Sequence, residues 1–398
     1  MISKKMEPLV ANSSVVRAMF EEGKRMADEF GPENVFDFSV GNPSVPAPDE
    51  VKEAIIDIIQ NGDPLYVHGY MSNAGFPETR TAVAENLNRR FGTNFSMNNI
   101  IMTVGAGSAL NVLLRTMLNP GDEVIVFAPY FLEYGNYIRT YEGEVVAVSP
   151  NPEGGFMPKL DEFEAKITPK TKAVIVNNPN NPTGAVYPEE VIQKLADILK
   201  KKQDEYGTVI YLLADEPYRE LAFGGAEVPY LTKYYDNTVV AYSYSKSLSL
   251  PGERIGYVVI PDESDNAEEF IAAATVANRV GGFTNAPSLM QLVIARCVDA
   301  QSDVSYYEAN ANALYDGLTA LGFECTKPEG AFYLWMKSPV ENEKEFVAAA
   351  KKYNLLLVPG SSFAGPGFVR MAYCVSRDTI ERSLPQFAKL AKEYGLGE

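Results

Sequence analysis

The sequence predicts a three-layer α/β fold, in which helices cover both faces of a mostly parallel seven-stranded sheet, together with a smaller α+β domain. Seven apolar runs of strand length lie between residues 99 and 260, and segments with helical spacing separate most of them. Beyond residue 300, strands and helices alternate less regularly. A chain of 398 residues also exceeds the usual size of a single hydrophobic core, so we expect more than one domain.

The seven apolar runs are the predicted strands of the large sheet. They cover residues 99–104, 123–127, 144–148, 172–176, 208–214, 238–242 and 255–260. The last run follows its predecessor too closely for a parallel crossover, which needs a dozen or more residues. We therefore predict that the strand at 255–260 is antiparallel.

Helical patterns precede and follow the sheet. Residues 51–59 place their apolar side chains on one helical face, between a proline and a glycine that act as start and stop signals. The segments beyond the sheet are predicted helices at 303–321 and 343–353, apolar runs at 330–336, 355–360 and 368–373, and a closing helix. We predict a large domain at residues 46–300 and a small domain formed by residues 1–45 and 301–398.

Composition excludes several classes of partner. The formal net charge of -17 repels nucleic acid and anionic membranes, so small molecules and other subunits are the expected partners. No run is apolar enough to span a bilayer and no secretory h-region follows the first lysines, so we expect a soluble, cytoplasmic protein. Cys297, Cys325 and Cys374 have no CxxC spacing, which predicts buried, reduced thiols and no metal site. The single histidine, His68, cannot supply a zinc cluster, and a Ser-His-Asp triad would rest on it alone.

Polar signatures directly follow four of the predicted strands. They are Gly105-Ala-Gly-Ser108, Asn177-Asn-Pro-Asn-Asn-Pro-Thr-Gly184, Asp215-Glu-Pro-Tyr218 and Ser243-Tyr-Ser-Lys246. Ligands of open α/β sheets bind outside the carboxyl ends of parallel strands, so we expect these segments to converge on one pocket. Because the chain is strongly acidic, an anionic ligand there needs local cations or the N-H groups of a helix start.

Each signature taken alone also has an ordinary structural explanation. A glycine turn before a helix is more often only a turn, and an isolated Lys246 or Arg254 is more often a solvated surface residue. Asp215 is equally consistent with a helix N-cap, and Asn-Asn-Pro-Thr-Gly is a good turn sequence. The ordered set of four motifs is what indicates a function.

The order and spacing of these motifs resemble the aspartate aminotransferase family, the class I and II aminotransferases, which are fold type I enzymes of pyridoxal 5′-phosphate (PLP). Ser-x-Ser-Lys246, followed after seven residues by Arg254-Ile-Gly, is similar to the family's cofactor-lysine signature. The similarity extends from Gly41-Asn-Pro to Phe368-Val-Arg-Met. It implies the three-layer PLP-transferase fold, PLP as cofactor, and ping-pong transfer of an amino group from an L-amino acid, aspartate being one candidate, to a 2-oxo acid such as 2-oxoglutarate.

The resemblance also implies which residues hold the cofactor. Lys246 would form the Schiff base with PLP, and a cationic neighbourhood would help to keep its amine deprotonated. The implied phosphate ligands are Gly105, Ala106, Gly107, Ser243 and Arg254. Tyr70 resembles the tyrosine that reaches the phosphate from the neighbouring subunit, which implies a homodimer with shared active sites.

Further positions match residues around the cofactor ring. Asp215 would pair with the pyridinium nitrogen, so that the ring can act as an electron sink. Asn181 and Tyr218 would hydrogen-bond the 3′-oxygen, and Phe131 would stack on the ring, where the family often has tryptophan. Lys246, Asp215 and Tyr218 are therefore the implied catalytic residues.

The implied substrate-binding residues come from distant parts of the chain. Arg370 resembles the arginine that binds the substrate α-carboxylate, and a charged residue in an apolar strand is costly unless it is paired. Gly41 would let a small-domain loop close over the substrate, and Asn181 would lie in the same pocket. Arg279, six residues before Asn285, is one residue off the spacing of a partner-subunit arginine that binds a distal carboxylate, and a solvated arginine is equally consistent.

Two alternative functions share these motifs. Carbon-sulfur lyases and related α/β-elimination enzymes keep the cofactor and change the reaction. A non-catalytic PLP-binding sensor would carry an N-terminal DNA-binding module, for which we expect no room here, and the net charge is wrong for DNA. An aminotransferase is the preferred interpretation, while the donor, the acceptor and the pathway stay open.

Overall fold

Strands and helices alternate along most of the chain. The computed structural model describes residues 2–4, 6–11 and 15–397, so residues 1, 5, 12–14 and 398 of the predicted small domain lie outside the described residues. The strands are β1 Phe36–Asp37, β2 Ile100–Thr103, β3 Glu123–Phe127, β4 Glu144–Val148, β5 Thr171–Asn177, β6 Tyr211–Asp215, β7 Thr238–Ser243, β8 Gly256–Val259, β9 Cys325–Thr326, β10 Tyr333–Lys337, β11 Leu355–Leu356, β12 Val358–Pro359 and β13 Phe368–Ala372. The helices are α1 Met6–Ala11, α2 Val15–Phe30, α3 Asp49–Asn61, α4 Pro64–Val67, α5 Pro77–Phe91, α6 Ala106–Met117, α7 Glu133–Thr140, α8 Leu160–Lys166, α9 Glu189–Tyr206, α10 Tyr244–Ser247, α11 Ala267–Asn278, α12 Ser288–Cys297, α13 Val304–Ala320, α14 Glu343–Ala350 and α15 Arg377–Glu393.

The large sheet has seven strands in the order β2-β8-β7-β6-β5-β3-β4. Strand β8 runs antiparallel to both of its neighbours, and the other strand pairs are parallel, which confirms the predicted sheet. Strand β6 begins at Tyr211, three residues later than predicted. Its pairing begins at Tyr211 with β5 and at Leu212 with β7, so the apolar residues Val209 and Ile210 lie before the paired part of the strand.

The two faces of this sheet bury different sets of side chains. Along β6, Leu212 and Ala214 point into one hydrophobic cluster, while Tyr211 and Leu213 point into another on the opposite face. This alternation follows from the period of two in a strand, and helices cover both clusters. The result is the three-layer arrangement that the sequence predicts.

A second, antiparallel sheet carries the C-terminal part of the chain. Its order is β12-β13-β10-β9, and helices α13 and α15 pack with it around a separate hydrophobic cluster that includes Tyr307, Leu334 and Phe387. A short parallel pair joins β1 near the N-terminus to β11. The N-terminal segment therefore contacts the C-terminal unit, as the sequence predicts.

Two predictions from composition are also tested. None of the described helices meets the length and hydropathy needed to cross a membrane. All three cysteines are free thiols, but only Cys297 and Cys374 are buried, whereas Cys325 is partly exposed. Cys325 lies in β9, which pairs with one neighbour only and is therefore an edge strand.

Candidate active site

A cavity of about 420 Å³ lies at the carboxyl ends of the parallel strands. Residues that follow β2, β5, β6 and β7 line it together with side chains of the C-terminal unit. The predicted residues on its wall are Gly41, Ala106, Gly107, Phe131, Asn181, Asp215, Tyr218, Ser243, Lys246, Arg254 and Arg370. These segments meet at one edge of the sheet, because strands β2, β5, β6 and β7 all run in the same direction.

Lys246 lies on α10, a single helical turn directly after β7. The Ser243 hydroxyl caps this turn by accepting a hydrogen bond from the Ser245 N-H at 3.1 Å. The Lys246 Nζ donates to the Gly41 carbonyl at 2.6 Å. Burial is the largest cause that lowers the pKa of Lys246 to about 8, and nearby Arg370 and Arg254 lower it further. A cationic neighbourhood is present as predicted, but desolvation is the stronger influence.

Asp215 ends β6 and is buried. One carboxylate oxygen, Oδ2, accepts a short hydrogen bond from the Tyr134 hydroxyl, while the Asn177 side chain donates to the Asp215 carbonyl at 2.9 Å. The other oxygen, Oδ1, has no hydrogen-bond partner among the residues that the structure describes. Burial raises the pKa of Asp215 to about 7, against the hydrogen bond from Tyr134, which lowers it. A buried acceptor without a partner is costly, so Oδ1 is suited to a donor supplied by a ligand.

Backbone and side-chain donors form an anion site beside Lys246. Helix α6 begins at Ala106 with no side-chain cap, so its first N-H groups are free to bind an anion. Gly105 precedes it with a φ of 88°, and a Cβ atom there would lie 2.7 Å from Arg254 Nη2. Arg254 itself donates to the carbonyls of Val104 and Pro251, at 3.1 and 2.9 Å. A glycine is therefore required where the arginine passes the helix start.

Arg370, on β13, is buried and makes two hydrogen bonds to other described residues. Its Nη2 donates to the Ser39 carbonyl at 2.7 Å and its Nη1 to Asn181 Oδ1 at 3.2 Å, while Nε has no partner in the described part of the chain. The guanidinium lies between two rings, with Cζ 4.3 Å from the Tyr333 centroid and 4.5 Å from that of Phe363. Burial lowers the pKa of Arg370. Stacked between rings and short of acceptors, this cation is suited to bind a carboxylate.

Phe131, Asn181 and Tyr218 complete the predicted wall. The Phe131 ring packs edge-on against Tyr134, with centroids 5.6 Å apart. The Asn181 backbone N-H donates to Asn177 Oδ1 at 2.7 Å, and the Asn181 side-chain oxygen accepts from Arg370. The Tyr218 and Tyr333 hydroxyls are hydrogen-bonded to each other at 2.9 Å.

Three predicted residues do not line the cavity of their own chain. Gly105 contributes by having no side chain, because a Cβ atom at this position would collide with Arg254. Tyr70 is 93% exposed, and Arg279 is exposed at the start of a π-helical segment, Arg279–Phe283. His68 is exposed as well, and the cavity lining does not include it.

Several residues of the cavity are missing from the sequence prediction. The main ones are Tyr134, Tyr137, Asn177, Ser245, Tyr333 and Phe363. Asn177 is the last residue of β5 and the first residue of the asparagine-rich motif, so its place in the sequence could have predicted that it lines the cavity. Tyr134 contacts Asp215 across 81 residues of sequence, and no local pattern marks it.

Comparison with known proteins identifies the family of this chain. The model of the family described as "Aminotransferase class I and II" matches residues 33–386. The chain belongs to the class I and II aminotransferases. Members of this family depend on PLP, and the chain is accordingly a PLP-dependent aminotransferase.

Similar proteins support this assignment along nearly the whole chain. An aspartate/prephenate aminotransferase of Thermus thermophilus is 34% identical over 358 residues, which cover 88% of this aminotransferase and 90% of the relative. A crystal structure of an aminotransferase from Eubacterium rectale is 45% identical, with a TM-score of 0.97 and 99% of each chain covered. The Thermus thermophilus aspartate aminotransferase with maleate has a TM-score of 0.88 at 30% identity, covering 98% of this aminotransferase and 99% of that chain.

The cavity of this aminotransferase fits PLP in three respects. Asp215 Oδ1 is a buried acceptor without a partner, which matches a protonated ring nitrogen. Gly105 leaves room for Arg254 beside the start of α6, which matches a phosphate. The Lys246 amine, whose pKa is lowered, lies on the same wall and is suited to react with the aldehyde of PLP.

Proposed function

We propose that this aminotransferase transfers the amino group of an L-amino acid, with aspartate as a donor, to a 2-oxo acid such as 2-oxoglutarate. The observation that carries the proposal is Arg370, a buried guanidinium that shares the cavity with Lys246 and has an unpartnered Nε. Amino and oxo acid substrates share a carboxylate next to the reacting carbon. One arginine that binds this group can therefore serve both halves of a ping-pong reaction.

We assign the cofactor contacts to residues of the cavity wall. Lys246 would hold PLP covalently, and Asp215 would accept a hydrogen bond from its ring nitrogen. The phosphate would be held by Arg254, Ser243 and the N-H groups of Ala106 and Gly107. Phe131 would stack on the ring, and Asn181 and Tyr218 would bind its 3′-oxygen. The unpartnered Asp215 Oδ1 and the uncapped start of α6 support these roles.

Proton transfer falls to Lys246. When bound, PLP supplies an aldehyde for exchange with the amino group and a ring that withdraws electrons from the substrate Cα. Lys246 Nζ would take the proton from Cα as a base and then, as an acid, deliver it to C4′ of the cofactor, and its pKa of about 8 keeps part of the amine neutral near physiological pH. The Gly41 carbonyl accepts from Nζ, so the segment at Gly41 is close enough to close over the substrate.

We also propose a cytoplasmic homodimer with shared active sites. Tyr70 is 93% exposed in the single chain, which supports a role at the phosphate site of a second copy. Residues 46–300 would form the large domain, and residues 1–45 with 301–398 would form the small domain that closes on it. Three free thiols are consistent with a reducing compartment.

The preference for aspartate rests on similarity and on one residue. The Thermus thermophilus relatives are named for aspartate, and one was solved with maleate, a dicarboxylate. We propose that Arg279 binds the distal carboxylate at the site of a second copy. Its exposure in the single chain is consistent with this role.

A panel of amino donors with 2-oxoglutarate, read out as oxo acid formation, tests the function. We expect transamination with dicarboxylic donors, and borohydride should fix the cofactor on the peptide that contains Lys246. Arg279→Ala should raise the KM for aspartate about tenfold or more and leave that for alanine within twofold. An unchanged KM for aspartate would remove Arg279 from the site.

The same assays separate transamination from elimination. A carbon-sulfur lyase would release ammonia without consuming a 2-oxo acid, and enzyme converted to the pyridoxamine form would not recover when a 2-oxo acid is added. None of the described contacts in the cavity favours elimination over transamination.

A further inference from the structure

Tyr333 touches three parts of the active site at once. Its hydroxyl is hydrogen-bonded to that of Tyr218 at 2.9 Å, and its ring lies under the Arg370 guanidinium, 4.3 Å from Cζ to the centroid. A Cβ atom at position 41 would lie 2.1 Å from the Tyr333 hydroxyl oxygen, so only glycine fits at Gly41. The residue is buried and lines the cavity.

The antiparallel pairing of β10 with β13 produces this arrangement. Trp335 is directly opposite Arg370, and Tyr333 is directly opposite Ala372. Tyr333 and Trp335 are two residues apart, so their side chains lie on the same face of the sheet as Arg370. Tyr333 is therefore the diagonal neighbour of Arg370, a distance that an aromatic and a long side chain can bridge.

We propose that Tyr333 is a positioning residue with two separable tasks: its hydroxyl orients Tyr218 toward the cofactor, and its ring orients Arg370 toward the substrate carboxylate. The inference rests on the proposed roles of Tyr218 and Arg370.

The hydroxyl task follows from the number of hydrogen bonds that a tyrosine can make. A phenol has one proton to donate and can accept as well. If Tyr218 donates its proton to a cofactor oxygen, the bond between the two tyrosines must be donated by Tyr333. A donated bond polarises the Tyr218 hydroxyl and makes it a stronger donor.

The ring task follows from the environment of Arg370. The guanidinium carbon lies over both the Tyr333 and the Phe363 ring, and the unpartnered Nε is the group left to bind a carboxylate. Both rings are buried, so the contact is made away from water, where cation-π attraction is stronger. Without the Tyr333 ring the side chain gains freedom that carboxylate binding must then remove.

Two substitutions at position 333 separate the tasks. Tyr333→Phe keeps the ring and removes the hydroxyl, so kcat should fall about threefold to tenfold with KM for the amino acid within twofold. The pH midpoint of the absorbance change of bound cofactor should rise, because a weaker donor to an ionised oxygen raises the pKa. Tyr333→Leu removes both groups, so KM should in addition rise about tenfold or more.

Tyr373→Phe is the matched control. Tyr373 is a neighbouring buried tyrosine whose hydroxyl donates to the carbonyls of Gly330 and Ala331, at 3.1 and 3.0 Å, outside the cavity lining. This variant should lower the melting temperature of the cofactor-free protein and leave kcat, KM and the absorbance midpoint unchanged. Melting temperatures of all variants show whether Tyr333→Leu has folded, and Tyr333→Phe carries the hydroxyl test if it has not.

The inference is overturned if Tyr333→Phe raises KM as much as Tyr333→Leu does, or if Tyr333→Phe moves neither kcat nor the absorbance midpoint. A wild-type protein that fails to transaminate would instead overturn the proposed function. The two failures are therefore distinguishable.

Discussion

The two sides of the active-site cavity are built in different ways. On the side of the large sheet, Asp215 is the last residue of β6, Lys246 lies on the turn that follows β7, and Ser243 caps that turn. On the opposite side, Arg370 is held by the carbonyl of Ser39, 331 residues away in sequence. The positions of Asp215 and Lys246 in the chain follow from local geometry, whereas the position of Arg370 in the cavity depends on long-range packing.

Among the described residues that line the cavity, each side contains one buried polar atom without a hydrogen-bond partner, and the two atoms are opposite in kind. Asp215 Oδ1 is an acceptor, and Arg370 Nε is a donor. One matches the protonated ring nitrogen of PLP and the other matches a substrate carboxylate. We therefore expect substitutions on the sheet side to change cofactor chemistry and substitutions on the opposite side to change substrate affinity.

The largest effect is expected at Lys246, the residue proposed both to bond the cofactor and to move the substrate proton. Lys246→Arg keeps the positive charge but removes the primary amine, so kcat/KM should fall at least about 10⁴-fold. Steady-state kinetics with aspartate and 2-oxoglutarate measure this loss. Lys337→Arg, on an exposed lysine paired with Glu324, is the control and should be neutral. Activity of more than about one per cent in Lys246→Arg would exclude a covalent role for the amine.

Asp215→Ala tests the sheet side by itself. Loss of the buried carboxylate should lower kcat about 10²- to 10³-fold, because a fixed charge opposite the ring nitrogen is removed. Titration of the cofactor-free protein with PLP should also show weaker binding. A variant that binds PLP normally and loses only affinity for the amino acid would reverse the proposed division of the cavity.

Arg370→Lys tests the opposite side. A lysine cannot make a bidentate pair or stack between two rings, so KM for the amino acid should rise about 10²-fold. The dissociation constant of PLP, measured in the same titration, should stay within twofold of the wild type. If PLP binding weakens as much as substrate binding, the two sides are not independent.

The smallest effect is expected in the pH dependence of stability of the cofactor-free protein. The pKa of Asp215 is about 7 in the folded chain against an ordinary 3.8, so the folded state holds its proton longer and stability should fall as pH rises through this window. The pKa of Lys246 is about 8 against 10.5, so the unfolded state binds more protons between these values and stability should rise with pH there.

Melting curves of wild type, Asp215→Asn and Lys246→Met check these slopes. Each variant should lose the slope in its own window, a change of about 1 to 3 °C, and keep the other. A wild type with no slope in either window would mean that neither group is desolvated in the folded protein.

Local patterns were enough to predict most of the sheet side. The seven strands are apolar runs, and their functional residues follow them directly, so the order of elements already places Asp215 and Lys246 at one edge. The predicted start of β6 was three residues too early, because apolar side chains occur in buried segments whether or not their backbone is paired in a sheet. Tyr134 was missed because its contact with Asp215 depends on how α7 packs, which leaves no local pattern.

The sequence by itself determined the strands, their antiparallel member and the motif that contains Lys246, since each of these depends on residues close together in the chain. Tertiary structure alone decided that Tyr333, Phe363 and Ser39 surround Arg370. It also decided that Arg370 and Asp215 each keep one polar atom unpartnered, because a missing contact becomes visible only when every neighbour has been placed.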